Sequence, residues 1–116
     1  MIQKTLITAT LLFPLVVQAQ QVQQGQASYY NGGQDGHTRT SSGEPVKPDD
    51  NTAASRTLPL GSTAKVTNEH TGQSTDVHVT DRGPTRQDRV IDLSKKAAGD
   101  IGMKQSGTAP VRVEPH

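Results

Sequence analysis

Apolar residues in this chain come in short runs that mostly alternate with polar ones, a pattern of strands rather than helices. The clearest run is Ser74 to Asp81. Strict alternation puts Val77, Val79 and Asp81 on one face, so a row that begins as core ends on a carboxylate where Gly83-Pro84 stops the strand. Thr63 to Asn68 is a second strand, and His70-Thr71-Gly72-Gln73 turns it back into Ser74 to form a hairpin. Gly25 to Tyr30, Val90 to Leu93 and Ala109 to Glu114 read as further short strands. Order resumes at Thr52-Ala53-Ala54-Ser55, and Leu58 to Ser62 is a turn. One helix is predicted, Lys95 to Ile101, capped by Ser94 and ended by Gly102. Asn31 to Gly36 is a glycine loop, and Thr38 to Asn51 is polar and loop-like. Two half-similar strand-turn-strand patterns hint at an internally duplicated barrel.

The first nineteen residues follow other rules. Met1 to Ala19 has a charged start at Lys4, an apolar run from Leu6 to Val17 broken by Pro14, and small residues Val17 and Ala19 at the −3 and −1 positions of a cleavage site. This is the pattern of a secretory signal peptide, too short to span a bilayer. The expectation is export to the periplasm or exterior with no lipid anchor. Gln20 to Gln24 is a polar leader, and residues 25–115 form one domain.

Removing Lys4 takes the twelve Lys and Arg residues to eleven, equal to the eleven Asp and Glu. A neutral mature surface argues against nucleic acid and against electrostatic adhesion to anionic membrane. The chain has no cysteine, which excludes a disulfide framework and a lipid-modified cysteine. With 3% aromatic residues and no Trp, the core must be built from Val, Leu, Ile and Ala. A closed barrel offsets so thin a core by leaving no strand edge unpaired. A monomer is expected.

Asp81 carries the most chemical interest. A carboxyl at the lip of a core is partly desolvated, which raises its pKa, while Arg82 beside it acts in the opposite direction; such a group can serve as proton donor or base. The competing reading is an Asp that accepts backbone N–H groups in a turn before Gly-Pro. Asp35-Gly36 lacks further ligands at calcium-loop spacing, and the histidines fall at no zinc spacing, so neither metal nor cofactor is expected. By alternation His78 faces away from Asp81, whereas His37 lies in a loop that can swing over a groove. Of Tyr29 and Tyr30, one points inward and the other is available to stack on a sugar. Asp92 is read first as structural, orienting Arg82 or a strand turn.

Several blocks occur in a telling order: Gly25 to Tyr30, Thr40-Ser41-Ser42-Gly43-Glu44, Thr52 to Ser62, Val66-Thr67-Asn68, Gly72, Asp81-Arg82-Gly83-Pro84, Ile91-Asp92-Leu93-Ser94 and Gly102-Met103. Together they resemble the rare lipoprotein A (RlpA) domain across roughly Gly25 to Glu114. The resemblance implies a six-stranded double-psi β-barrel, mainly β with one short helix, as in expansin and barwin domains. It also implies an endolytic lytic transglycosylase that cleaves peptidoglycan between N-acetylmuramic acid and N-acetylglucosamine, prefers strands stripped of stem peptides and leaves 1,6-anhydro ends.

On the same resemblance Asp81 matches the family's catalytic-type aspartate and Glu44 an assisting carboxylate. Tyr30, Ser55, Arg82 and Thr40 become candidate substrate contacts, with Tyr30 on the groove side. Many members read Thr-Ala-Ala-His where this chain has Thr52-Ala53-Ala54-Ser55. A serine hydroxyl can hydrogen-bond but cannot relay a proton near neutral pH, which points to weakened cleavage. The alternative is a non-catalytic, expansin-like module that holds or loosens wall glycan without cutting it.

Overall fold

The computed structural model describes residues 21–30, 41, 43 and 49–116. The expectations for Thr40, Glu44, His37, the glycine loop and the signal peptide lie outside them. Among the described residues six strands and one helix follow in the order β1 (Gln23–Tyr29), β2 (Thr52–Ala54), β3 (Thr63–Asn68), β4 (Ser74–Asp81), β5 (Arg89–Leu93), α1 (Lys95–Asp100) and β6 (Thr108–Pro115). The strands close into a barrel in the spatial order β1-β5-β2-β4-β3-β6.

Two pairs are parallel, β1 with β5 and β2 with β4, and the other four around the ring are antiparallel. Each parallel pair carries one register shift. On β4, Ala53 and Ala54 face Val79 and Asp81, so Thr80 is the extra residue; on β5, Gln26 and Ala27 face Arg89 and Ile91, so Val90 is the extra residue. A bulge bends its strand and re-aims the side chains that follow. Gly25 makes room for the second one, since a Cβ there would lie 2.6 Å from Val90 Cγ1.

The inner face is lined by small and branched residues from every strand: Ala27, Ala53, Ala64, Val66, Val77, Val79, Ile91, Leu93, Ala109, Val111 and Val113, all buried. Leu58, Ile101 and Met103 join the same core. Short side chains suit a narrow barrel, where opposite walls approach closely and larger ones would overfill the interior. The hairpin β3–β4 and the bounds of both its strands agree with the alternation pattern. β1 starts earlier than expected: Gln23 and Gln24, read as leader, pair with Val113 and Arg112 of β6.

Polar residues inside this shell are placed where they splice elements together. Ser94 Oγ caps α1 by accepting from Ala97 N–H at 3.2 Å. It also accepts from Thr52 N–H at 3.2 Å and donates to the Asp50 carbonyl at 2.6 Å. Buried Asn68 donates to the Ile101 carbonyl at 2.8 Å and accepts from His70 N–H at 2.8 Å, tying the hairpin to the end of the helix. Among the described residues no buried side-chain polar atom lacks a partner, as a small barrel with a thin core requires.

Candidate active site

Lateral neighbours on adjacent strands point to the same side of a sheet, so the register defines rows. Ser28 is paired with Asp92, Asp92 with Ala54, and Ala54 with Asp81. This row crosses β1, β5, β2 and β4 on the outer face, opposite the core row Ala27–Ile91 and the core residues Ala53 and Val79. Two strand spacings separate the backbones of Asp81 and Asp92, roughly 10 Å. Between them lies Ala54, which is buried.

Strict alternation would have put Asp81 inside with Val77 and Val79. The bulge at Thr80 overturns that placement. Thr80 takes the extra position and is buried, and Asp81 emerges half-exposed on the outer face beside Ala54. The same shift brings Asp81 to His78's side of the sheet rather than the opposite one: His78 is paired with Thr52, which shares a face of β2 with Ala54.

Asp81 is held by donors that converge on one oxygen. Its Oδ1 accepts from Ser41 N–H at 3.0 Å, from Ser41 Oγ and from Arg82 N–H at 2.8 Å. Its backbone carbonyl accepts from Ser55 N–H at 3.0 Å, which locks the strand end to the chain leaving β2. Gly83 follows with φ 135°, a conformation that disfavours any side chain. The half-exposed Asp81 carboxyl can lend or take a proton at a ligand lying across this face.

Tyr30 borders the row. Its hydroxyl pairs with Thr52 Oγ1 at 2.6 Å, and its N–H donates to the Leu93 carbonyl at 2.9 Å. Burial pushes the phenol above its ordinary pKa, and the charges of Asp92 and Asp81 push in the same direction against the Thr52 bond. It therefore stays a neutral hydroxyl between two carboxylates. Tyr29 turns the other way, packs against the core and donates from its hydroxyl to the Lys104 carbonyl at 2.9 Å. Asp92 accepts from Ser28 Oγ at 3.0 Å, a bond that ties β5 to β1.

Two expected contacts are occupied by structural work. Ser55 is 1% exposed, and its hydroxyl accepts from the N–H groups of Thr57 at 3.2 Å and Leu58 at 2.9 Å, capping the turn after β2. Arg82 sends its guanidinium to the carbonyls of Ser55, at 2.9 Å, and Leu58. Both side chains fix the segment beside Asp81, Ser55 through its hydroxyl and Arg82 through Nη1. Thr40 and Glu44 lie outside the described residues, although Ser41 shows that this loop reaches Asp81.

A six-stranded barrel closed through two parallel pairs, with a polar furrow across its outer face, is a double-psi β-barrel. The family described as lytic transglycolase matches residues 22–113, so the chain belongs to that family, with the RlpA-type barrel domain. Similar relatives include an endolytic peptidoglycan transglycosylase RlpA of Campylobacter jejuni, 44% identical over 93% of this chain and 39% of its own length. One from Vibrio cholerae is 51% identical over 78% of this chain and 34% of its own length. The chain thus spans little more than a third of these relatives. Among solved structures, an expansin of Clavibacter michiganensis superposes with a TM-score of 0.65 at 23% identity, covering 83% of this chain and 50% of that one. The Streptomyces papain inhibitor superposes with a TM-score of 0.64 at 20% identity, covering 81% of this chain and 93% of the inhibitor. These two likenesses concern the fold.

Proposed function

We propose that this protein is an endolytic peptidoglycan lytic transglycosylase, with Asp81 as both acid and base. The observation that carries this reading is the bulge at Thr80, which sets Asp81 half-exposed on the outer face of the barrel, where a glycan strand can reach it. Membership of the family and the names of its relatives supply the reaction class. Asp81 protonates the glycosidic oxygen, the bond from the muramoyl anomeric carbon to that oxygen breaks, and N-acetylglucosamine leaves with a free hydroxyl. The muramoyl 6-hydroxyl then closes on the anomeric carbon and returns its proton to Asp81. No water is consumed, and one carboxyl suffices for both transfers. The preferred substrate is the strand freed of stem peptides, Glu44 assists, and the protein is exported and acts as a monomer.

Purified protein incubated with amidase-treated peptidoglycan is expected to release 1,6-anhydro-ended fragments detectable by mass spectrometry. Asp81→Asn should abolish them while leaving the fold intact. Anhydro products that persist in Asp81→Asn would overturn the assignment. A second reading, a glycan-holding module without cleavage, is favoured by one observation: Ser55 stands where many members carry histidine, and its hydroxyl is committed to a turn. Retention of the strands on the wild-type protein with no fragments released would select it, and recovery of cleavage in Ser55→His would identify the limiting residue.

A further inference from the structure

Two arginines stand at the Asp81 end of the barrel with their charge uncancelled. Arg56 follows directly on Ser55, whose N–H is bonded to the Asp81 carbonyl, and Arg82 follows Asp81 itself. The two stitch their segments together reciprocally. Arg56 Nη1 donates to the carbonyls of Pro84, at 2.6 Å, and Arg86, at 3.0 Å, while Arg82 Nη1 donates to those of Ser55 and Leu58. Backbone carbonyls occupy one nitrogen of each guanidinium and leave its charge in place. Both residues are exposed, and among the described residues neither pairs with a carboxylate. Arg86, whose carbonyl accepts from Arg56, shows what the remaining edge can do: its Nε and Nη2 grip Asp88 through two bonds of 3.1 Å. On Arg56 the same Nε–Nη2 edge has no partner among the described residues, and the anchored Nη1 holds the fork in place, so little side-chain freedom is lost when a carboxylate binds.

We propose that Arg56 is a specificity residue that receives the lactyl carboxylate of the muramoyl sugar, with the charge of Arg82 reinforcing it. The inference rests on Asp81 acting on peptidoglycan strands as in the proposed function. In a strand that still bears stem peptides this carboxyl is an uncharged amide, and removal of the peptide leaves one free carboxylate on each muramoyl residue. It belongs to the same sugar whose anomeric bond Asp81 breaks, so a cation beside Asp81 is placed to meet it. Charge, and not only the smaller bulk of the bare strand, then sets the preference.

The test compares amidase-treated strands before and after their lactyl carboxylates are coupled to methylamine, which removes the charge while adding one small group. Strand binding and release of anhydro ends are measured for the wild type, Arg56→Gln and Arg56→Lys. The wild type should favour the free carboxylate by about three- to tenfold in binding and KM, with kcat little changed and the advantage shrinking as salt is raised. Arg56→Gln should bring the ratio close to one by weakening binding of carboxylate strands alone, and Arg56→Lys, a point charge without the fork, should keep part of it. Should Arg56→Gln fold poorly for want of its bonds to Pro84 and Arg86, Arg56→Lys decides, a reduced ratio supporting the assignment and the full one overturning it. Equal handling of both strands by the wild type, or a full preference retained in folded Arg56→Gln, overturns the inference alone. Wild-type protein that neither binds nor cuts either strand overturns the proposed function, and the inference with it.

Discussion

The two strands that carry the furrow's carboxylates reach the same face by different routes. On β5 the bulge falls at Val90, ahead of Ile91, and from there simple alternation delivers Ile91 inward, Asp92 outward and Leu93 inward. On β4 the bulge falls at Thr80, directly before Asp81, and reverses what alternation implies. A bulge upstream of a patterned stretch leaves its reading intact, whereas one inside the stretch inverts the residue that matters. Both parallel pairs of the barrel thus use an irregularity in register, and the two acidic residues end up facing each other across Ala54.

The contrast between positions 79 and 81 gives the largest expected effect. Val79 is fully buried, so Val79→Asp should destabilise the protein by on the order of 3–5 kcal/mol in urea unfolding, the cost of an uncompensated buried charge. Asp81→Val, two residues on, should change stability by no more than about 1 kcal/mol, because the new side chain meets the furrow rather than the core. A gain well beyond that from Asp81→Val would mean that position 81 faces inward after all.

The bulge on β5 can be challenged through Gly25, where an added Cβ would press on Val90 at 2.6 Å. Gly25→Ala should cost about 1–3 kcal/mol by overpacking and weaken the pairing of β1 with β5, measurable as faster amide exchange along both strands. Unchanged stability would show that Val90 yields freely.

Where β5 ends, Ser94 joins it to β2 and starts the helix, so Ser94→Ala should cost about 1–2 kcal/mol by denaturant unfolding, a cap together with its bond to Thr52 N–H. The smallest effect concerns the start of β4. Hydrogen bonding from Asn51, reinforced by Lys96 and Thr75, holds the Asp100 carboxyl below its ordinary range. A depressed carboxyl contributes stability above its unfolded pKa of about 4 and loses it as pH falls through the lower folded value. Asp100 is more than a third exposed, so solvent screens the effect to a fraction of a kcal/mol. Asp100→Asn should lower stability by that fraction of a kcal/mol near neutrality and flatten the profile below pH about 4, where the wild type loses the contribution anyway.

Much of the architecture is legible in the residues. Alternation locates β3 and β4 with their bounds, Ser94 and the residues after it define the helix, and the order of motif blocks points to the family. The furrow is less legible, because its geometry depends on pairings between strands distant in sequence and on two extra residues that nothing in Thr80 or Val90 marks as bulged. Asp92 could have been placed from Ile91 and Leu93, whose apolar character on either side fixes its face. Ser55 and Arg82 resist reading for another reason. Both are polar residues beside a candidate acid, which suggests ligand contacts, yet the turn between Ser55 and Leu58 has backbone groups that need partners and takes them.

The central claim is that the bulge at Thr80 sets Asp81 on the outer face of the barrel as the proton-transferring carboxylate of a glycan site. A crystal structure of Asp81→Asn with a peptide-free glycan strand tests it most directly. The account predicts a strand lying across the outer face at the end of β4, with the scissile oxygen beside residue 81. A strand bound on another face of the barrel, or one crossing this face without reaching residue 81, would contradict it.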